Sequence, residues 1–472
     1  MELHVTLKPG ANLAAEVYRQ VREAILDGRL RAGDALPPSR ALAARLGVSR
    51  NTVSGAYRRL VSEGFASGRA GAGTFVSGKP ASRARRAPDA AALEPRAFWR
   101  SLRDELSFPM PKGANAFGFE IGVPDAGLFP GALWRRLVAG AQRRSARAGA
   151  ASCDAPEGLP ELRAAIARHI GLSRSVVAGA EDVLVSSGAQ QAFDLVARVL
   201  VGPGTPVAVE DPGYPPSRRA FEAQGARIVP VPVDGEGLVV DAIPRGVRVV
   251  SVTPSHQFPL GSAMSLARRR ALLEWAARAG AAIVEDDYDS EFRFDGRPLE
   301  PLQSLDAHGR VIYVGTFSKT LLPALRLGFL VAPASLRASL VAAKAVAEGA
   351  GPRDAQAALA RLLDEGLFAR HLRRTLRVYR ERREILVDAI ERRLAGALTV
   401  VPSAAGLHLT ALLSDARRSD LALARAAFGA GVGVQPLRPY FLGPPRGALA
   451  FGYGAIASGR IDTGIGRLAR AI

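Results

Sequence analysis

The feature that most constrains the fold is an alternation of short apolar runs and helical patterns from about Lys112 onward. The runs are rich in β-branched residues and span 183–185, 207–209, 247–252, 282–284, 311–314 and 327–331. Stretches with a helical pattern, 190–200 and 266–279, lie between some of them. This alternation predicts an α/β fold with a mostly parallel sheet covered by helices. In such sheets, ligands bind beyond the carboxyl ends of the strands.

One lysine follows the strand predicted at 311–314. The chain has 63 Lys and Arg residues, but only five of them are lysines, and Lys319 is one of the five. A primary amine can lose its proton and condense with an aldehyde, whereas a guanidinium effectively cannot. Position alone leaves two interpretations of Lys319 open: a reactive amine, or a side chain that extends into solvent.

Polar and aromatic residues follow the other predicted strands. They are Gly188, Ala189 and Gln190 at the start of a helix, then Tyr214, the acidic run 285–287, Tyr288, Thr316 and Arg326. Taken singly, an acidic pair is most often a solvated turn, and a Ser-Gly before a helix is most often a cap. A cofactor with a phosphate, an aldehyde and a basic ring nitrogen would use all of these groups together. The set therefore predicts pyridoxal 5′-phosphate (PLP).

Each of these groups has a chemical reason to contact that cofactor. Lys319 would hold the aldehyde, and an aspartate would keep the ring nitrogen protonated, which makes the ring an electron sink. Backbone amides at Gly188 and Ala189, with the Thr316 hydroxyl and the Arg326 guanidinium, would bind the phosphate. Tyr288 would donate to the ring hydroxyl, and Tyr214 would stack on the ring.

Residues 1–78 are predicted to form a small DNA-binding domain. Leu13, Val17, Val21 and Ile25 recur at four-residue spacing, which indicates one apolar helix face. A second helix begins near Ser39, a plausible cap, and a third begins after Ser49. Two helices joined by a tight glycine turn are a helix-turn-helix. The alternative is a generic three-helix domain with a solvated polar face.

The third helix presents residue types that read DNA bases. Arg50 and Asn51 stand at its start, and each can make paired hydrogen bonds in the major groove. The segment 65–76 predicts a β-hairpin wing whose tip carries Arg69, which can meet a phosphate or the minor groove. These residue types predict that Arg50, Asn51 and Arg69 contact DNA.

The composition limits the classes of partner and the location. The net charge of +19 indicates a polyanionic partner, of which nucleic acid is the first candidate. Arginine enrichment from a GC-rich genome is the alternative explanation of this charge. A single cysteine, Cys153, excludes an intrachain disulfide, and neither a signal peptide nor a membrane span is apparent, so a cytoplasmic location is expected. Residues 79–111 are predicted to be a basic linker and 112–472 a second domain. No metal site is predicted.

Two sets of motifs carry a family resemblance. The strings 36–40, 46–53 and 73–76 resemble the winged helix of GntR-type bacterial transcription factors. The strings 122–125, 128–130, 158–163, 187–191, 211–214, 253–261, 285–292 and 315–328 resemble fold-type I aminotransferases. Together they resemble the MocR-type regulators, in which both domains are fused. The resemblance implies Arg40, Ser49, Arg50 and Asn51 at DNA, Lys319 as the covalent attachment point and a homodimer. It also implies Asp286, rather than Asp287, at the pyridine nitrogen.

Three positions depart from the aminotransferase pattern. Cys153 stands where a tyrosine usually reaches the partner subunit's phosphate, and Phe258 replaces an asparagine that touches the ring oxygen. Ala448 stands where an arginine usually holds the substrate carboxylate, with Arg446 and Arg438 as the nearest alternatives.

Two functions remain open from the sequence. The first is a DNA-binding transcription regulator whose aminotransferase-like domain senses PLP or an amine or amino acid that reacts with it. The second is a working aminotransferase that carries a DNA-binding domain. Fold alone cannot separate them. The three departures favour the regulator, with vitamin B6 synthesis or amine and amino acid metabolism as the controlled genes.

Overall fold

The computed structural model describes residues 5, 12–69, 71–77, 94–106, 116–147, 155–296 and 300–472, without the side chains of 103–106. The chain divides into two compact units, Met1–Trp99 and Arg100–Ile472. Among the described residues, no helix combines the length and the apolar character that crossing a membrane requires.

The first unit consists of three helices and a hairpin: α1 (Leu13–Leu26), α2 (Ser39–Leu46), α3 (Arg50–Ser62), β1 (Ala66–Arg69) and β2 (Gly73–Val76). Its core includes Val17 and Val21 from α1 and Val53 and Leu60 from α3, all fully buried. Gly47 turns the chain between α2 and α3 in the left-handed conformation, with φ of +64°, which favours glycine because it has no Cβ.

The two predicted helix caps of this unit differ in outcome. The Ser49 hydroxyl accepts a hydrogen bond from the Thr52 amide at 3.2 Å and caps α3. Ser39, in contrast, is the first residue of α2, and the cap position is Pro38, which offers no side-chain acceptor. The prediction for Ser39 was therefore wrong by one position, because Pro38 already supplies the extended backbone that precedes the helix.

The second unit is built on an eight-stranded, mostly parallel sheet. Its strands are β4 (Val183–Ser186), β5 (Pro206–Asp211), β6 (Arg227–Asp234), β7 (Gly237–Leu238), β8 (Val249–Val252), β9 (Ala282–Asp287), β10 (Val311–Thr316) and β11 (Gly328–Val331). They lie in the order β4-β11-β10-β9-β8-β5-β6-β7. β11 runs antiparallel to both β10 and β4, and β7 antiparallel to β6. The carboxyl ends of β5, β8, β9 and β10 consequently meet at one edge.

A smaller sheet follows toward the C-terminus. Its strands are β12 (Leu398–Val400), β13 (His408–Leu413), β15 (Gln435–Pro436) and β16 (Ala448–Gly452), and a separate pair consists of β3 (Phe117–Gly118) and β14 (Val432–Gly433). The order in the smaller sheet is β12-β13-β16-β15, all antiparallel, whereas β14 pairs parallel to β3. These strands and β6 were not predicted from the sequence. In β6, prolines interrupt the apolar run.

Helices pack around both sheets. They are α5 (Gly131–Arg147), α6 (Pro160–Arg174), α7 (Ala189–Leu200), α8 (Pro215–Ala223), α9 (Leu266–Ala279), α10 (Leu302–Leu305), α11 (Ala334–Ala347), α12 (Arg353–Asp364), α13 (Leu367–Arg393), α14 (Asp420–Gly429) and α15 (Ser458–Ala471). Helix α4 (Ala97–Leu106) precedes them in the chain. Side chains of α7 and α11 pack on one face of the large sheet, and those of α6 and α12 on the other. The α/β fold predicted from the sequence is confirmed.

Candidate functional site

A cavity of about 190 Å³ opens at the carboxyl edge of the large sheet. It is lined by Gly122, Ala189, Gln190, Tyr214, Phe258, Asp286, Tyr288, Thr316, Ser318, Lys319, Pro323, Arg326 and His408. Every residue predicted to bind the cofactor lines it except Gly188. That glycine lies just behind the lining, since a Cβ on it would lie 3.4 Å from Arg326 Nη1.

Lys319 is half-buried and lines this cavity. Its Nζ donates a hydrogen bond to the Gly122 carbonyl oxygen at 2.7 Å. Gly122 has φ of +71°, which favours glycine, and a Cβ there would lie 2.6 Å from the same Nζ, so the lysine amine would have to shift. Burial lowers the pKa of Lys319, and the carboxylates of Asp289 and Asp286 partly oppose that shift. A lowered pKa makes the neutral, nucleophilic amine more accessible.

Consecutive aspartates at the end of β9 face opposite sides of the sheet. Asp286 lines the cavity, and its Oδ1 is buried with no hydrogen-bond partner among the described residues. Asp287 points away and accepts hydrogen bonds from Arg174 Nε at 2.8 Å and from the Tyr313 hydroxyl at 2.5 Å. Burial raises the pKa of Asp286 well above its ordinary value, and Asp287 and Asp289 raise it further. Strand alternation thus gives the two neighbours different environments.

One end of the cavity is arranged to receive an anion. The N-terminus of α7 begins at Ala189 after Gly188, whose φ is +84°. The Arg326 guanidinium lies beside Gly188, and the Ser318 amide donates to Thr316 Oγ1 at 3.1 Å. Unpaired amides at a helix N-terminus and a guanidinium together attract a phosphate.

Aromatic and imidazole groups form another wall. Phe258 packs edge-on against Tyr214, with ring centroids 5.1 Å apart. The Tyr288 hydroxyl donates to the His256 carbonyl oxygen at 3.0 Å and lies 2.9 Å from His256 Nδ1. That nitrogen is also 3.1 Å from both carboxylate oxygens of Asp289. Burial first, then the nearby carboxylates, raise the pKa of Tyr288, so the phenol stays a hydrogen-bond donor.

Sequence reasoning missed part of the lining. His408 comes from β13 of the small sheet, Pro323 from the turn before β11, and Gly122 and Ser318 from loops. Ser318 and Gly122 lie within the sequence strings that resemble aminotransferases, so the sequence contained a signal for their place in the cavity. The sequence contained no such signal for His408, because its position at the cavity depends on how the small sheet packs.

A second, wider cavity of about 580 Å³ shares Gly122, Tyr214, Phe258 and Lys319 with the first. Two arginines of α8, Arg218 and Arg219, also line it, together with Gln435 and Tyr440, and no carboxylate is among the described residues that line it. Arg218 also pairs with Glu222, with Nε and Oε1 3.4 Å apart. The charged side chains in the described lining of this cavity are basic.

The alternatives named for the missing substrate arginine do not reach either cavity. Ala448 is fully buried within β16, and Arg446 and Arg438 are exposed and line neither cavity. Cys153 lies outside the described residues.

In the first unit, the predicted DNA-binding side chains are exposed. They are Arg40, Ser49, Arg50, Asn51 and Arg69. The Arg69 guanidinium lies over the Phe75 ring, 4.8 Å from its centroid, at the predicted wing. Arg50 and Asn51 are the first two residues of α3 and are exposed, whereas Val53 and Leu60 of the same helix are buried.

Comparison with known proteins identifies both units. Residues 13–76 match the family model of bacterial regulatory proteins of the gntR family, and residues 125–451 match aminotransferase class I and II. The chain is similar to the probable rhizopine catabolism regulatory protein MocR of Rhizobium meliloti, at 40% identity over 97% of this chain and 93% of that protein. It is also similar to the pyridoxine biosynthesis regulator PdxR of Corynebacterium glutamicum, at 34% identity over 96% and 95%.

Solved structures agree for the second unit. LysN, the α-aminoadipate aminotransferase of Thermus thermophilus complexed with N-(5′-phosphopyridoxyl)-L-leucine, superposes with a TM-score of 0.68 and 32% identity, over 79% of this chain and 94% of that one. Kynurenine aminotransferase of Pyrococcus horikoshii gives a TM-score of 0.71 at 26% identity, over 82% and 96%.

Fold and site together define a winged-helix regulator joined to an aminotransferase-like unit, a class whose second unit is typically associated with PLP. The chain belongs to the MocR-type subfamily of the GntR transcription regulators.

Proposed function

We propose that this regulator binds PLP at Lys319 and that its aminotransferase-like unit senses an amine effector. One observation carries the proposal: Lys319 and Asp286 line the same cavity, and Asp286 Oδ1 has no hydrogen-bond partner in the part of the chain that the structure describes. A buried carboxylate oxygen without a partner is unfavourable, and the protonated ring nitrogen of PLP would satisfy it. When bound, the group supplies an aldehyde that condenses reversibly with amines.

The chain's own residues would hold the group at each end. Arg326, Thr316 and the amides at the start of α7 would bind the phosphate, and Tyr288 would donate to the ring oxygen. Tyr214 would pack against the ring. In a homodimer, which we also propose, a second chain would adjoin these cavities.

The wider cavity supports an effector that carries a negative charge in addition to its amine. Arg218 and Arg219 line it beside Lys319, in place of the usual late arginine. An effector that binds two arrangements of the chain unequally would shift their populations and so change affinity for DNA. The controlled genes would serve vitamin B6 synthesis or the metabolism of an amine or amino acid.

The test is DNA binding by the purified protein with and without PLP, and then with a panel of amines and amino acids. We expect a visible absorption band from bound PLP, and an added effector should change both that band and the affinity for promoter DNA. A Lys319→Ala variant should lose the band while its first unit still binds DNA. An unchanged band in that variant would contradict the cofactor assignment.

Amino-group transfer is the second candidate function, supported by the cavity that Lys319, Asp286 and Tyr288 line together. It predicts sustained conversion of an amino acid and a 2-oxo acid at ordinary enzyme rates. If an amino acid changes the absorption band but no such turnover follows, the sensing function is favoured.

A further inference from the structure

Helix α13 carries a row of arginines that neither cavity uses. Five of them, Arg370, Arg373, Arg374, Arg377 and Arg380, are exposed, and we call them the arginine face. At 3.6 residues per turn, they fall within a sector of about 120° along about 15 Å of helix. They therefore form one continuous basic strip.

Other arginines of the same helix have partners, and these five differ from them. Arg382 Nη2 lies 2.6 Å from Asp125 Oδ2, and Arg393 Nη2 lies 2.7 Å from Asp462 Oδ2. Within the described part of the chain, no ion pair or hydrogen bond involves the arginine-face side chains. The acidic residues Glu381 and Glu384 follow only where the strip ends.

The arrangement is unfavourable for an isolated helix. Arg370 is three and four residues from Arg373 and Arg374, and Arg377 is within four residues of Arg373, Arg374 and Arg380. Like charges at these spacings repel. Arg370 also lies in the first turn, where a positive charge opposes the helix dipole and no acidic residue compensates. A bound polyanion would relieve both effects.

DNA is the polyanion that fits this chain. Residues 100–472 contain 47 Lys and Arg against 36 Asp and Glu, so the excess positive charge is not confined to the winged helix. A strip of about 15 Å spans about four phosphates of one DNA strand.

We propose that the arginine face of α13 is a second, sequence-independent DNA contact in the aminotransferase-like unit. The inference rests on the proposed function, since it requires a DNA-binding protein. Guanidinium groups along the strip pair with backbone phosphates and add affinity without reading bases.

Salt dependence of binding to a random-sequence duplex tests this in the full-length protein. A variant with all five residues changed to Gln should give a plot of log affinity against log salt that is less steep by about 0.9 per lost phosphate contact, up to about 3 to 4 in total. A variant with all five changed to Lys should keep the wild-type slope, because the charges remain.

The matched control removes five exposed arginines of the second unit that already have acidic partners. These are Arg168, Arg198, Arg278, Arg392 and Arg417, each changed to Gln. Net charge falls equally, but we expect the slope to stay close to that of the wild type. Equal slopes in the control and the arginine-face variant would overturn the proposal, as would a Lys variant that behaves like the Gln variant.

Two further results keep the test decisive. The double variant Arg373→Gln/Arg377→Gln, which disturbs the fold less, should reduce the slope by about 2. If the wild type itself fails to bind duplex DNA, the proposed function fails, whereas binding with an unaltered slope in every variant removes only the arginine face.

Discussion

Asp286 and Asp287 are adjacent in the chain, but their carboxyl groups lie in different environments. Asp286 lines the cavity, and its Oδ1 has no hydrogen-bond partner among the residues that the structure describes, whereas Asp287 is hydrogen-bonded to Arg174 and Tyr313. The sequence marks both as strand-end acids and cannot choose between them without a family resemblance. The choice depends on which side of the sheet each position faces.

Substitution of each aspartate should therefore separate binding from stability. We expect Asp286→Asn to weaken PLP binding and alter its absorption band with little loss of stability. Asp287→Asn should destabilise the unit by about 3–5 kcal/mol, because it leaves Arg174 as an uncompensated buried charge. Equilibrium unfolding and PLP titration measure the two effects. The same outcome for both variants would contradict this division.

At the level of elements, local patterns predicted the first unit well. The apolar spacing located α1, Ser49 marked the start of α3, and the segment 65–76 located the hairpin between β1 and β2. All of these signals act over a few residues. The elements that were missed, β6 and the small sheet, are short or interrupted by proline and are fixed by pairing with distant strands.

Helix α3 provides a prediction at this scale, since it presents Arg50 at its exposed start. Arg50→Ala should weaken binding to the operator by about 1–3 kcal/mol and reduce the preference for operator over random DNA. The control is Arg19→Ala, which removes the same charge from α1. Arg19 pairs there with Glu16 and Glu23. Operator affinity that is unchanged in Arg50→Ala would contradict the assignment of α3 as the helix that reads bases.

For the whole molecule, buried glutamates link stability to pH. Burial raises the pKa of Glu210, Glu285 and Glu291 to about 7 each. The unfolded chain releases these protons near the ordinary value, so it binds fewer protons than the folded chain between about pH 4.5 and 7. Stability from these groups is fully present below that window and is lost as the pH rises through it.

Glu210→Gln should reduce this dependence. Relative to the wild type, the variant should gain up to about 3 kcal/mol of unfolding free energy between pH 4.5 and pH 8. The exposed Glu274→Gln serves as the control. Denaturant unfolding at several pH values measures the difference, and parallel stability profiles for the wild type and Glu210→Gln would refute it.

The sequence by itself determined the two-part organisation, the strand-and-helix alternation and most of the residues that line the cavity, because these depend on local periodicity and on which residues follow a strand. Only the tertiary structure decided which aspartate enters the cavity and that His408 reaches it from a second sheet. It also placed Arg218 and Arg219, rather than Arg438 or Arg446, in the wider cavity that Lys319 lines. Those outcomes follow from strand sidedness and from packing between segments far apart in the chain, which no local pattern records.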